Sequence, residues 1–111
     1  MNLNAWIAEN VMGWKYSDEF LGFVTKPIEE ATLNDYISKR NWNPLEDIAQ
    51  AFQVVEKMRE RGYCISIENN LFTSVWTCRV IHAERGAVAN VNSGEPARAI
   101  CLAAKQALGA K

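Results

Sequence analysis

The stretch Asn90-Val91-Asn92-Ser93-Gly94-Glu95-Pro96-Ala97-Arg98 holds the residue types and spacing closest to a binding chemistry. A strand pattern ends there, small residues turn the chain, and a helix pattern begins. Free backbone N–H groups at a helix start attract anions. Arg98, in the first turns of that helix, would add a planar fork of donors suited to phosphate. Asn90 and Asn92 project to one side of the strand and offer both donors and acceptors. Together these residues suit a phosphate or a nucleotide. The competing reading is ordinary helix capping beside a surface arginine. Glu95 favours that reading, because it sets a negative charge at the same spot.

Aromatic side chains could supply a stacking surface for a base. The run from Phe72 to His82 reads as one long strand, which puts Phe72, Ser74, Trp76, Cys78 and Val80 on one face. A base could lie on Trp76 or Phe72; the alternative is that both rings are core beneath a helix. Trp6, Trp14 and Trp42 are expected to be core, with Trp42 fixing the approach to the second helix by packing. For catalysis the inventory is thin. His82 is the chain's only histidine and Glu84 follows two residues later, so an acid–base pair is imaginable. No nucleophile motif, glycine-rich phosphate loop or metal cluster accompanies it, and the simpler reading is a polar residue near a turn. No catalytic residue and no cofactor is therefore assigned. Cys64, Cys78 and Cys101 are odd in number and widely spaced, with no C-x-x-C pair. They fit neither a zinc site nor a disulfide scaffold and read as reduced, partly buried thiols of a cytosolic protein.

These residues need a scaffold, and the chain is long enough for one domain, residues 1–111. A hydrophobic content of 49% and a charged content of 23% are close to the usual globular mix and argue against global disorder. The net charge of −1 and the absence of a basic stretch argue against binding a nucleic-acid polymer by its backbone. A small anionic ligand held by one or two arginines remains compatible. No apolar run approaches the length of a membrane helix, and the start of the chain does not read as a signal peptide.

Periodicity then places the elements. Leu3, Trp6, Ile7 and Val11 fall near helical spacing, with Asn2 or Asn4 as cap and Gly13 as stop. The clearest helix follows Asn43 as N-cap, Pro44 at its first position and Glu46 as the reciprocal partner of a capping box. Ile48, Phe52, Val55 and Met58 form its apolar stripe, and Gly62 ends it. The period then changes to two. Tyr63, Ile65 and Ile67 alternate with polar neighbours, Asn69-Asn70 turns, Phe72–His82 returns, Glu84-Arg85-Gly86 turns again, and Ala87–Val91 closes a meander. A last helix from about Glu95 to Leu108 buries Ala97, Ile100, Cys101, Ala104 and Leu108, and Gly109 ends it. Residues 14–42 are the least legible: a short strand or packed loop near Trp14–Phe23, a helical turn at Ile28-Glu29-Glu30-Ala31, and a further turn or irregular stretch over Thr32–Arg40. The expected fold class is α+β, a small antiparallel sheet of three to four strands with helices packed on its faces, an α-β-α sandwich.

Three segments carry a family resemblance. Asn10-Val11-Met12-Gly13-Trp14 closes the first helix. Asp47-Ile48-Ala49-Gln50-Ala51-Phe52-Gln53-Val54-Val55-Glu56-Lys57-Met58 forms the second. Glu95-Pro96-Ala97-Arg98-Ala99-Ile100-Cys101-Leu102-Ala103-Ala104 forms the last, with Pro-Ala-x-Ala-Ile-Cys-x-Ala-Ala the most specific piece. Together they resemble the phage ABA sandwich family of small phage and prophage proteins, and the architecture is similar to that of the anti-Thoeris sponge proteins. The resemblance implies a non-enzymatic protein of the bacterial host cytoplasm that sequesters a cyclic ADP-ribose isomer or a cyclic oligonucleotide and so inhibits anti-phage defence. It implies a homo-oligomer, a dimer or larger. It assigns ligand contacts to Arg98 and Asn92, with Trp76 or Phe72 stacking the base, and Asn90 joins them from the reading of the strand end alone. The alternative is a phage protein–protein interaction module working through an exposed aromatic patch.

Overall fold

Where the hydrophobic period changes along the chain, the backbone changes from helix to strand. The computed structural model describes residues 2–18, 21–26 and 35–109. Helix α1 spans Leu3–Asn10 and is followed by three short strands, β1 (Lys15–Ser17), β2 (Gly22–Val24) and β3 (Tyr36–Ser38). Helix α2 covers Ile48–Glu60, then come β4 (Tyr63–Asn69), β5 (Trp76–His82) and β6 (Gly86–Ser93), and α3 covers Pro96–Gly109. The strands pair as two antiparallel sheets, β1-β2-β3 and β4-β5-β6. The α+β class and the meander after α2 are thus as the pattern predicts. The small first sheet arises within the stretch the sequence left illegible.

The larger sheet carries one apolar face. Its register sets Ile65 beside Val80 and Ile67 beside Cys78, with Ala89 and Val91 in line on β6. Helices α2 and α3 pack on this face. The other face presents Ser66, Arg79, Asn90 and Asn92, all exposed. Helix α3 is the centre of the core: Ala97, Ala99, Ile100, Cys101, Ala103, Ala104 and Ala107 are buried. Its run of small residues lets the sheet and α2 approach it closely, with α1 against it as well.

Helix α1 is held at both ends by chain distant in sequence. Asn2 caps it, its side chain accepting from the Asn4 N–H. Arg61 reaches its carboxyl end and donates to the Asn10 carbonyl at 2.7 Å, where a cation suits the helix dipole. Trp42 donates its indole Nε1–H to the Asn4 carbonyl at 2.9 Å and meets Trp14 edge-on with ring centroids 4.6 Å apart. The expectation that Trp42 fixes the approach to α2 by packing therefore holds; its ring is buried.

Four expectations need correction. The N-cap of α2 is Asp47, whose side chain accepts from the Gln50 N–H, not Asn43. Asn43 starts a separate turn, its carbonyl accepting from Glu46 and Asp47, and the extended backbone of Asp47 (φ −101, ψ 109) breaks that turn before the helix begins. The buried stripe of α2 is Ala51, Val54 and Met58, with Val55 half-buried, while Ile48 is 41% and Phe52 51% exposed. At 100° per residue, the buried face marked by Met58 lies about 120° around the helix from Phe52. Next, β5 begins at Trp76 rather than Phe72. The Asn70 side chain accepts the Phe72 N–H, and Ser74 adopts a left-handed φ of 59°. Residues 70–75 therefore close the β4–β5 hairpin as a loop and leave Phe72 at its tip. In the earlier stretch, Tyr36–Ser38 is a strand, not a helical turn. The turn expected at Ile28-Glu29-Glu30-Ala31 lies outside the described residues.

Candidate functional site

The start of α3 is built as a junction of two layers. Strand β6 ends at Ser93, whose hydroxyl accepts from the Glu95 N–H at 3.3 Å. The Glu95 carbonyl then accepts from Ala99 at 3.0 Å as the helix begins. Arg98 projects outward between buried Ala97 and Ala99. It makes no ion pair with any described residue. It lines a shallow cavity of about 360 Å³ together with Glu46, Ile48, Glu95 and Pro96, where the amino ends of α2 and α3 come together. Two carboxylates therefore share this cavity with the guanidinium, and an anion there meets attraction from one group and repulsion from two. Beneath, burial pushes the Cys101 thiol up to about 12; Cys78 adds to the shift and Arg98 opposes it.

The other residues predicted to line this site lie elsewhere in the single chain. Asn90 and Asn92 point from the exposed face of the sheet, opposite the helices. Asn92 accepts the Thr77 hydroxyl at 2.7 Å across the β5–β6 pair. The Asn90 backbone N–H donates to Gln106 of α3 at 2.9 Å, which covers part of the β6 edge. Trp76 is half-buried on the apolar face, packed against the core. Phe72, 97% exposed, stands beside Leu71 at the hairpin tip, so the two aromatics do not share a face. Arg98 is thus brought together with neither the asparagines nor the aromatics within one chain.

The imagined acid–base pair has a structural task. His82 Nδ1 accepts the backbone N–H groups of Glu84 and Arg85 at 3.1 and 3.2 Å, closing the β5–β6 turn. The Tyr63 ring meets it edge-on at 4.8 Å, and the Tyr63 hydroxyl accepts from Arg85. The three cysteines are free thiols: Cys64 is exposed, Cys78 and Cys101 buried. Burial raises the Cys78 thiol to about 11. Among the described residues, no three histidine, cysteine or acidic side chains group as metal ligands, and no helix is long and apolar enough to cross a membrane.

A further cavity, of about 720 Å³ and not foreseen from the sequence, lies between the first turn of α1, the small sheet and the turn after β3. Tyr16, Lys39 and Arg40 stand at it. The adjacent basic pair Lys39-Arg40 was the one signal for it, and that pair carries no meaning until the small sheet places Tyr16 nearby.

None of the curated proteins matches this chain. A solved structure, the 2.0 Å crystal structure of a phage protein from Bacillus cereus ATCC 14579, superposes with a TM-score of 0.67 over 95% of this chain and 87% of that one, at 18% identity. At that identity the likeness concerns the fold. The Phage ABA sandwich domain matches residues 5–105, nearly the whole of the architecture described above, and the chain belongs to that family.

Proposed function

We propose that the protein is a non-catalytic phage or prophage protein that binds and sequesters a small anionic nucleotide signal, a cyclic ADP-ribose isomer or cyclic oligonucleotide, and so inhibits host anti-phage defence. The observation that carries this reading is Arg98. Its guanidinium is exposed in the first turns of α3, without an ion-pair partner among the described residues, at the rim of a cavity. A free planar fork beside helix-start N–H groups suits a phosphate. Assembly belongs to the same reading: Asn90, Asn92 and Arg98 can serve one ligand only if a second copy brings its sheet face to the α3 cavity of the first. Phe72 at the hairpin tip is the aromatic free to stack, and Trp76 would have to leave the core to do so. The site of action is the host cytoplasm, where such signals arise.

The test is incubation with a panel of nucleotide signals, removal of free ligand, and recovery of bound ligand after heat denaturation, alongside light scattering for assembly. Arg98→Ala is expected to lose about 1.5–3 kcal/mol of binding, roughly ten- to over a hundredfold, with stability changed by no more than about 0.5 kcal/mol. Arg98→Lys recovers part of the loss. Recovery of no ligand from the parent overturns the function; unchanged recovery from Arg98→Ala overturns the site.

A second reading, a protein-interaction module, is favoured by Leu71 and Phe72, 88% and 97% exposed at the hairpin tip. Phe72 is of the aromatic type enriched in interface cores, and Leu71 extends its apolar surface. In that case Leu71→Ser/Phe72→Ser abolishes partner binding while Arg98→Ala leaves it intact.

A further inference from the structure

The cavity beside α1 differs in chemistry from the one at α3. Its floor is aromatic: Phe23 and Trp42 are each 1% exposed. Tyr16 stands above that floor, 36% exposed, its ring meeting Phe23 edge-on at 5.5 Å and 69°. An edge-on contact uses the rim of one ring, so the Tyr16 ring keeps surface open to the cavity. Across the sheet, Tyr16 pairs with Phe23 and Phe23 with Ile37. Strand β3 then runs directly into Lys39 and Arg40. Two strand spacings, about 10 Å, separate the ring-bearing strand from the strand that leads into the cations.

Both cations are exposed, and neither makes an ion pair with a described residue. Among the described residues lining the cavity there is no carboxylate, in contrast to Glu46 and Glu95 beside Arg98. Asn2, the cap of α1, and Asn4, in its first turn, also line the cavity. The amino end of that helix adds partial positive charge to the same space. A surface with an apolar floor, one open ring and two exposed cations selects a ligand with a flat apolar part and a negative part.

We propose that this cavity binds a small ligand in which a planar ring carries an anionic group, with Tyr16 stacking on the ring and Lys39 and Arg40 holding the anion. A nucleoside monophosphate and a simple aryl phosphate share that chemistry. The site stands independently of the Arg98 reading, since it uses other residues and another cavity.

Amide NMR titrations with AMP, phenyl phosphate, adenosine and inorganic phosphate test it. AMP or phenyl phosphate is expected to shift residues 15–17 and 38–42, and the tighter of the two identifies the ring it favours. Adenosine and inorganic phosphate each bind about tenfold or more weakly, since each keeps only half of the contacts. Arg40→Gln lowers affinity about tenfold or more; Tyr16→Ala lowers it about fivefold or more, the weaker end of base–aromatic stacking. Tyr16→Phe retains it and guards against a folding defect. Arg98→Ala leaves it unchanged, which separates this site from the one at α3. The proposal is overturned if neither aryl phosphate binds at millimolar concentration, if inorganic phosphate or adenosine binds as well as AMP, if the shifts cluster at residues 95–98, or if Arg40→Gln binds as the parent does.

Discussion

Removing the Trp42 indole should unlock the whole amino-terminal half. The ring is 1% exposed, packs edge-on against Trp14, and donates to the Asn4 carbonyl at 2.9 Å. Asn4 in turn donates its side-chain amide to Asn43 at 2.9 Å and accepts from the Leu45 N–H at 3.3 Å, so α1 and residues 42–45 are joined at several points. Trp42→Ala deletes the largest buried side chain, and such truncations cost about 3–5 kcal/mol. A domain of this size has a total stability on the order of 5–15 kcal/mol, so the variant stands near the edge of folding. Trp42→Phe keeps most of the ring but removes the indole hydrogen bond to the Asn4 carbonyl, a loss of about 0.5–1.5 kcal/mol. Each kcal/mol lowers the melting temperature of a domain near this length by about 4–8 °C. Urea titration followed by far-ultraviolet circular dichroism measures both variants, and a double-mutant cycle with Trp14→Phe isolates the ring pair. A cost below about 1 kcal/mol for Trp42→Ala would refute the placement of this ring in the core.

The two faces of α2 should separate cleanly in urea titrations. Phe52→Ala is expected to stay within about 0.5 kcal/mol of the parent, while Met58→Ala costs about 2–5 kcal/mol; the reverse order would return Phe52 to the core. Gly22→Ala should open the small sheet at a cost of about 1–3 kcal/mol, because the added methyl would meet the Ile37 carbonyl and lie 2.8 Å from the Ser38 Cα. Amide spectra that keep the Tyr16 and Ile37 signals in place would contradict this. The thiols should react in two classes with a thiol reagent near pH 8: Cys64 rapidly, Cys78 and Cys101 only on unfolding. Burial raises both thiols above their ordinary value of 9.0, to about 11 and about 12. The folded state holds these protons more tightly than the unfolded one. Their contribution is therefore fully present below pH 9 and lost as pH rises through 11 to 12. A Cys78→Ala/Cys101→Ala variant should show a shallower fall in stability over that alkaline range, read by urea titration; an identical slope would count against the burial.

Much of the architecture was legible because it rests on local rules. The change of period after Gly62, the turn at Glu84-Arg85-Gly86 and the proline at the first turn of α3 fix helix and strand through backbone geometry that neighbouring residues specify. The apolar stripe of α3 was equally plain, since its small and apolar residues run along most of the helix and any docking buries them. The family followed from the same segments.

Other features depended on contacts between distant residues. In α2 the apolar side chains at 48, 51, 52, 54, 55 and 58 span more than one face, and periodicity alone favours the bulkier Phe52. The sheet instead takes the Ala51–Val54–Met58 face, whose small Ala51 permits close approach. Phe72 reads as strand by propensity, but the Asn70 side chain and the left-handed Ser74 take the backbone out of the ladder. Strands of three residues are too short for alternation to show, so the β1-β2-β3 sheet could not be read before its register was known. The chain order thus determined the helices, the meander and the exposed Arg98. Only tertiary structure decided that Arg98 stands apart from Asn90 and Asn92, and that Tyr16, Lys39 and Arg40 meet at one cavity. The physical reason is that a site is a meeting of side chains across space, set by which faces bury against one another, whereas the sequence specifies directly only the periods of the elements that carry them.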